Sequence, residues 1–338
     1  MIRFSENHNL QNYNTFGVKA SARYFFEFTE REDLTVFLQS SKTWKDSPLV
    51  VLGGGSNMLF LNDFDGLIMH PNIPGIAVVK EDRQNVWMEV GAGETWDDFV
   101  KYTVGYGLGG IENLSLIPGS AGAAPVQNIG AYGQEVSETI ETVKGYDLLN
   151  NKPVEFTAAE CKFDYRSSIF KTRLKNQLII TSVVFRLEKF PEFKLNYGLL
   201  DEKVKEKGET NLQNIREAVI DIRTSKLPDV KKLGNAGSFF KNPVVDEKTG
   251  GKLKARFPEL PVYLAGKGKS KVAAGWLIEQ AGWKGCREGD VGVHEKQALV
   301  LVNYGNATGQ EIFDFSEKIR QSVLEKFGVK LEREVNCI

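Results

Sequence analysis

The sequence predicts an α+β chain with more than one domain, on three observations. At 338 residues the chain is longer than one hydrophobic core usually serves. Its 41% apolar and 26% charged residues are the ordinary balance of folded globular domains. Strand-like and glycine-rich segments dominate the first half, whereas strands and amphipathic helices alternate after about residue 190, and we expect a domain boundary near residue 210.

The elements of the first half follow from hydrophobic periodicity. Residues 31–42 predict a short helix, because Leu34, Phe37 and Leu38 share one face. Residues 94–107 predict a second amphipathic helix. The segments predicted as strands are residues 49–60, which enter a triple glycine, 86–93, 141–149 and the strongly β-branched 177–190.

The second half combines exposed and buried segments. Residues 202–211 are charged and predict an exposed connection, and residues 211–229 predict a helix that stops before Pro228. Residues 271–282 predict a further helix and residues 296–305 a strand. A long helix follows, with a core face made by Ile312, Phe315, Ile319, Val323 and Phe327.

Charge and cysteine content disfavour several classes of function. The net charge is -1 and no basic stripe stands out, which argues against nucleic acid as a partner. We predict no metal site and no disulfide framework, because the cysteines and histidines are scattered. They are Cys161, Cys286, Cys337, His8, His70 and His294. The first residues lack an apolar signal segment and no apolar run nears the ~18 residues that span a bilayer, so we expect a cytoplasmic protein.

Two small-residue loops in the first half are candidates for binding a phosphate-containing ligand. Residues 53–57 (GGGSN) expose backbone N–H groups that can form a nest for phosphate oxygens, although a tight β-turn explains the same residues. Met58 stands where the dinucleotide fingerprint GxGxxG needs glycine. Residues 117–133 keep apolar anchors and predict an ordered loop, in which Gln127 and Asn128 can offer amides to a heterocycle. Together the loops suit an extended ligand with a central diphosphate.

Three further segments carry candidate catalytic side chains. Arg166 in FDYRSSIFK would be a partly buried guanidinium, paired with a ligand anion or with a structural carboxylate. Ser238 in GNAGSFFKNP has neither a GxSxG elbow nor a matching histidine, so it is a turn serine or a proton donor to an enolate. Glu332 and Glu334 in LEREV would share one face of a strand, or belong to a solvated tail.

In combination these motifs closely resemble the UDP-N-acetylenolpyruvoylglucosamine reductase family, flavoproteins that complete UDP-N-acetylmuramate in bacterial peptidoglycan synthesis. The resemblance covers nearly the whole chain, and QNIGAYG and GSFFKNP are its most specific parts. The matching segments are NTFGV (14–18), VLGGGSNML (51–59), IPGSAGAAPVQNIGAYG (117–133), YRSSIFK (165–171), RTSKLPD (223–229), GNAGSFFKNP (234–243), AAGWLIEQAG (273–282), VHEKQALVLVN (293–303) and LEREV (331–335).

The resemblance implies an FAD-binding fold of the vanillyl-alcohol-oxidase type followed by an α/β substrate-binding domain. The expected FAD-binding subdomains are residues 1–70 and 71–210, and the expected substrate-binding domain is residues 211–328. A strand over residues 329–338 would return near the site. We expect FAD to bind non-covalently, NADPH to act as co-substrate, and the protein to be a monomer with the enolpyruvyl UDP-sugar as its small-molecule partner.

The resemblance also implies roles for individual residues. The catalytic residues match Arg166, Ser238 and Glu334. Residues expected to contact FAD are Gly53, Gly54, Gly55, Ser56, Asn57, Pro118, Gly119, Ser120, Gly122, Ala123, Gln127, Asn128, Gly130, Ala131, Tyr132 and Arg223. Residues expected to contact the substrate are Tyr197, Lys226, Asn242, Tyr263 and Gln297, with Tyr197 folding over it.

The implied reaction passes hydride from N5 of FADH2 to C3 of the enolpyruvyl group. Ser238 would protonate C2, and Arg166 and Glu334 would stabilise the enolate. Two alternatives share part of this pattern. A related FAD-dependent sugar or alcohol oxidase would lack GSFFKNP and the C-terminal glutamate, and a non-enzymatic sugar-nucleotide sensor would need only the binding loops.

Overall fold

The computed structural model describes residues 2–40 and 47–338, which form strands and helices in alternation. The strands are β1 (Ile2–Asn9), β2 (Ser21–Phe28), β3 (Leu49–Val51), β4 (Met58–Leu59), β5 (Phe64–Pro71), β6 (Ile76–Glu81), β7 (Asn85–Gly91), β8 (Gly130–Ala131), β9 (Gln134–Glu135), β10 (Ile140–Asp147), β11 (Lys152–Thr157), β12 (Leu178–Glu188), β13 (Gly234–Ser238), β14 (Val244–Asp246), β15 (Val262–Leu264), β16 (Lys269–Val272), β17 (Arg287–Glu288), β18 (Val291–Val293), β19 (Val300–Asn303) and β20 (Asn336–Cys337). The helices are α1 (Arg31–Ser40), α2 (Trp96–Gly105), α3 (Leu200–Glu206), α4 (Leu212–Lys226), α5 (Glu247–Arg256), α6 (Ala274–Gln280) and α7 (Gly309–Phe327).

The chain forms two compact units, and each unit is assembled from several chain segments. The first unit contains the described residues of 1–8, 22–55 and 65–225. The second unit contains residues 9–21, 56–64 and 226–338. The domain borders predicted at residues 70 and 210 stay a prediction. Among the described residues, no helix is both long and apolar enough to cross a membrane.

The first unit is built on two sheets. One has the strand order β1-β2-β5-β3, and the other has the order β11-β10-β12-β7-β6 and is antiparallel throughout. Strand β12 is buried from residue 178 to residue 185, because its two faces contribute to different cores. Phe185 packs against Trp96 and Phe99 of α2, and Ile179 joins the cluster that contains α1. The β-branched run predicted this strand.

Helix α1 packs as its periodicity predicted. Leu34, Phe37 and Leu38 are buried, and the Phe37 ring stacks on Phe26 with 3.8 Å between centroids. The predicted last two residues of this helix lie outside the described residues.

The predicted exposed connection over residues 202–211 is wrong for its first part. Helix α3 extends to Glu206, and it buries Leu200 and Val204 against Ile215 and Val219 of α4. These pairs stand four residues apart and form one apolar face, which the surrounding lysines and glutamates obscured. The predicted helix over residues 211–229 is confirmed as α4.

The second unit contains a sheet ordered β13-β19-β18-β17 and a three-stranded sheet ordered β14-β16-β15. All five residues predicted for the core face of α7 are buried. Helix α6 begins at Ala274, three residues later than predicted, because residues 269–272 form β16. The predicted strand over 296–305 is confirmed in its centre as β19. Strand β20 pairs with β4 in parallel, with Asn336 opposite Met58.

Candidate active site

The two glycine-rich loops contact each other within the first unit. We call residues 53–57 the first glycine loop and residues 117–133 the second. A Cβ atom on Gly54 would lie 2.9 Å from the Cα atom of Gly119, and one on Gly53 would lie 2.7 Å from Oγ of Ser120. Backbone therefore meets backbone at Gly54, an approach that only glycine allows. Residues 53–55 belong to the first unit, and residues 56 and 57 of the same loop belong to the second.

Replacing Gly54 with alanine is expected to abolish or greatly weaken FAD binding, because Gly119 must move to admit the new methyl group. The measurement is a titration of the apoprotein with FAD, followed by quenching of flavin fluorescence. Gly105→Ala in α2 is the matched control, since no described heavy atom outside its own helix turn lies within 4 Å of that Cβ position. An FAD affinity unchanged in Gly54→Ala would contradict the prediction.

The second glycine loop is fastened to the start of α2. The backbone N–H of Trp96 donates to the Gly119 carbonyl at 3.0 Å, and the N–H of Ala121 donates to the Glu94 carbonyl at 2.8 Å. Trp96 also donates its indole N–H to the Leu114 carbonyl at 2.9 Å. These bonds explain why a segment rich in glycine and alanine is ordered, as the sequence predicted.

Arg223 of α4 is a partly buried cation beside the second glycine loop. It lies close to the side chain of Tyr132, and its Nε is buried without a hydrogen-bond partner among the described residues. Burial lowers the pKa of Arg223 and raises the pKa of Tyr132. A buried guanidinium with an unused N–H is stabilised by an anion. Together with the contacting glycine loops, this donor set fits the diphosphate of FAD.

Arg166 is anchored on the second glycine loop. Its guanidinium donates to the Gly130 carbonyl at 2.5 Å and to the Asn128 carbonyl at 3.3 Å. The Arg166 backbone has a φ of +53°, in the left-handed region that is costly for a residue with a Cβ. Strained backbone and two carbonyl bonds fix the guanidinium next to the second glycine loop. Whether it pairs with a ligand anion or with a structural carboxylate stays as the sequence left it.

The side chain of Asn128 is used within the loop. Its Nδ2 donates to Oε2 of Glu135 at 2.8 Å and to the Asp164 carbonyl at 3.2 Å, and its Oδ1 accepts from the Ser137 N–H at 3.1 Å. Asn128 is fully buried. It therefore shapes the loop that holds Arg166, and a contact of its side chain with FAD stays a prediction.

Tyr197 lies over the end of the second glycine loop and is half exposed. Its ring meets Tyr132 edge-on with 6.0 Å between centroids, and its Cβ is 3.7 Å from the Cβ position of Gly133. The buried amide of Asn113 joins the same two segments by donating to the carbonyls of Tyr132 and Lys194 at 2.9 and 2.8 Å. Asn113 was not predicted from the sequence, where nothing sets it apart.

Ser238 ends β13 in the second unit, directly after a distortion of the strand. The register against β19 shifts between Asn235 and Ser238, and Gly237 has a φ of +66°. The Gly237 N–H donates to Oδ1 of Asn235 at 3.0 Å. A bulge of this kind redirects the next side chain, and only glycine adopts the required φ without strain. Ser238 is therefore presented by a fixed turn.

Glu334 lies beside Ser238 in the second unit. Residues 332–334 pair antiparallel with residues 239–241, and the Glu334 N–H donates to the Phe239 carbonyl at 2.8 Å. Nδ2 of Asn57 donates to the Glu334 carbonyl at 3.2 Å. The structure thus brings the predicted proton donor and the predicted glutamate onto adjacent, paired segments.

Arg333 holds this C-terminal segment on α7. Its guanidinium forms an ion pair with Glu317, donates to Oγ of Ser316 at 3.0 Å and lies 4.0 Å from the Phe313 ring centroid. The sequence left open whether LEREV is a solvated tail. The backbone pairing of residues 332–334 and the contacts of Arg333 show that LEREV is an ordered segment packed on the second unit.

The predicted substrate residues of the second unit occupy three places. Asn242 and Gln297 both lie at the start of α6, where Asn242 Oδ1 accepts from the Ala274 N–H at 2.9 Å and Gln297 Oε1 lies 3.4 Å from the Cβ position of Gly275. Tyr263 is exposed on β15, opposite Lys271 of β16. Lys226 is exposed at the end of α4.

Comparison with known proteins decides the family. A family model described as the UDP-N-acetylenolpyruvoylglucosamine reductase C-terminal domain matches residues 229–338, and an FAD binding domain model matches residues 23–152. The chain is 49% identical to a UDP-N-acetylenolpyruvoylglucosamine reductase from Flavobacterium johnsoniae, over 100% of both chains. It is 47% identical to one from Amoebophilus asiaticus, over 98% of both. The chain belongs to the UDP-N-acetylenolpyruvoylglucosamine reductase family.

A solved structure supports the fold of this reductase family member along its whole length. The crystal structure of a UDP-N-acetylenolpyruvylglucosamine reductase from Thermus caldophilus matches 100% of the chain and 98% of its own, with a TM-score of 0.68 and 24% identity. The predicted α+β architecture, an FAD-binding fold followed by a substrate-binding domain, is confirmed. FAD as the cofactor is confirmed as well.

Proposed function

We propose that the chain reduces the enolpyruvyl group of UDP-N-acetylglucosamine enolpyruvate to give UDP-N-acetylmuramate, with NADPH as the reductant. The observation that carries the proposal is the pairing of the Ser238 and Glu334 segments in a chain whose full-length relatives bear the reductase name. The proposed enzyme works as a cytoplasmic monomer in peptidoglycan synthesis.

The fit between the first unit and FAD supports the choice of cofactor. Residues of both glycine loops and Arg223 would hold its diphosphate, for which bare backbone and a partly buried cation are suitable partners. When bound, FAD supplies the hydride carrier between NADPH and C3 of the enolpyruvyl group. The remaining chemistry is assigned to side chains of the chain itself.

Charge stabilisation and protonation are the work of three side chains. Addition of hydride at C3 pushes negative charge into the substrate carboxylate, and a fixed guanidinium such as that of Arg166 stabilises this enolate. Ser238 gives its proton to C2, a task that suits a weak acid because the enolate is strongly basic. Glu334, on the segment paired next to Ser238, orients or assists the serine.

Binding of the UDP portion is assigned to four side chains of the second unit together with Tyr197. Lys226 supplies a cation for the diphosphate, and Tyr263, Asn242 and Gln297 supply a ring and two amides for the uridine end. Tyr197 would cover the substrate and exclude water. Such remote contacts contribute positioning energy to the reacting group.

A coupled assay tests the proposal. The purified protein should show flavin absorbance bands and oxidise NADPH only when the enolpyruvyl sugar nucleotide is present. Oxygen consumption with a free sugar or alcohol, independent of NADPH, would favour the oxidase alternative. Absence of bound flavin, with the nucleotide still bound, would favour the sensor.

A further inference from the structure

Asp97 and Arg216 form a partly buried ion pair between α2 and α4. The guanidinium donates two parallel bonds to the carboxylate, at 2.7 Å to Oδ1 and 2.9 Å to Oδ2. The Arg216 side chain is 8% exposed and that of Asp97 is 24% exposed. A fork of this kind fixes distance and orientation together, which a single contact does not. Nothing in the proposed chemistry uses either residue.

Asp97 also holds the backbone that leads into the second glycine loop. Its Oδ1 accepts from the Leu116 N–H at 2.5 Å. Leu116 has a φ of +59°, a left-handed conformation that is unfavourable for a leucine. The adjacent residue, Ile117, begins the loop. A short hydrogen bond to a charged acceptor therefore maintains a strained residue at the entrance of the predicted FAD-binding loop.

The same ion pair borders Arg223. Arg216 and Arg223 stand seven residues apart on α4, a spacing that places them on one helix face, and the charge of Asp97 acts on Arg223 as well. Burial would raise the pKa of Asp97, but the hydrogen bonds from Arg216 and Leu116 outweigh it and lower that pKa below its usual range. Asp97 is thus a stable carboxylate that contacts the entrance of the second glycine loop and acts electrostatically on Arg223.

We propose that the Asp97–Arg216 pair positions the groups that bind FAD. The pair fixes the entrance of the second glycine loop and the side chain of Arg223 relative to each other. The inference rests on the proposed function, since it presupposes that this unit binds FAD. Neither residue touches the ligand in this proposal. Asp97 acts by accepting the hydrogen bond of the Leu116 amide and by its electrostatic attraction to Arg223. Arg216 acts by holding Asp97 against α4.

The test measures FAD affinity in the full-length apoprotein, by fluorescence quenching, together with amide hydrogen exchange of residues 114–121. Asp97→Asn keeps the side-chain shape but loses the charge, and Arg216→Lys keeps the charge but loses the fork. Both are expected to weaken FAD binding at least tenfold and to speed exchange in residues 114–121. The matched control is Asp98→Asn, the exposed neighbouring carboxylate on the same helix, which should leave both measurements unchanged.

A second control separates positioning from loss of stability. Val100→Ala removes two fully buried methyl groups from α2 and leaves the side chains of Asp97 and Arg216 in place. If Val100→Ala weakens FAD binding as much as Asp97→Asn at an equal loss in melting temperature, the pair is merely structural and the inference is overturned. Wild-type affinity in both Asp97→Asn and Arg216→Lys overturns it too. A wild-type protein that binds no FAD would instead refute the proposed function itself.

Discussion

Replacing Ser238 with alanine is expected to leave reduction of the bound flavin by NADPH intact and to slow its reoxidation by the enolpyruvyl substrate by ~10³-fold or more. The reason is that the first step needs no proton at C2, whereas the second cannot finish without one. Stopped-flow absorbance of the flavin separates the two steps. The Gly237 bulge keeps the backbone in place, so the loss is of a hydroxyl group and not of local structure.

Two further variants sharpen this result. Ser238→Cys retains a proton donor in the same turn and should recover part of the second step. Ser322→Ala, on α7 of the same unit, is a control for removal of a serine hydroxyl away from the proposed site. A parallel decline of both steps in Ser238→Ala would show that the serine acts in binding or folding rather than as the proton donor.

Replacing Arg166 with lysine is expected to slow the second step by ~10²-fold or more while flavin reduction by NADPH is little changed. Lysine retains the positive charge but cannot reproduce the planar fork that bonds the carbonyls of Gly130 and Asn128. The ammonium group would therefore lie free of the loop and out of position for a developing enolate.

The control for Arg166 is Arg173→Lys, an exposed arginine seven residues further along the chain. It should behave as wild type in both half-reactions. Near-normal turnover of Arg166→Lys would remove the enolate-stabilising role, because any cation at that place would then suffice.

Periodicity predicted the long elements well, because burial of one face leaves a regular trace in the sequence. Helices α2 and α7 show this, since each buries the apolar positions expected of it. Helix α3 escaped prediction because only Leu200 and Val204 mark its buried face among charged neighbours. Short helices of this kind are stabilised by their packing partners, which local sequence does not reveal.

Some residues of the candidate site could be predicted from the sequence and others could not. Unusual local composition marks the two glycine loops and the segments around Arg166 and Ser238. The roles assigned to these residues came from their resemblance to one family. Asp97 and Arg216 carry no such signal, because they are 119 positions apart and each looks like an ordinary helix charge. The left-handed backbone of Leu116 is likewise invisible in a sequence that offers no glycine there.

The pairing of β20 with β4 has a consequence for synthesis on the ribosome. The Ile338 N–H donates to the Leu59 carbonyl at 2.9 Å, and the Leu61 N–H donates to the Ile338 carbonyl at 2.8 Å. All segments of the first unit have been translated once residue 225 is added. The backbone around residue 59, which belongs to the second unit, pairs with residues that are translated more than 270 positions later. Until residues 336–338 have been translated and have left the ribosome, the backbone of that short strand is unpaired and can bind wrong partners.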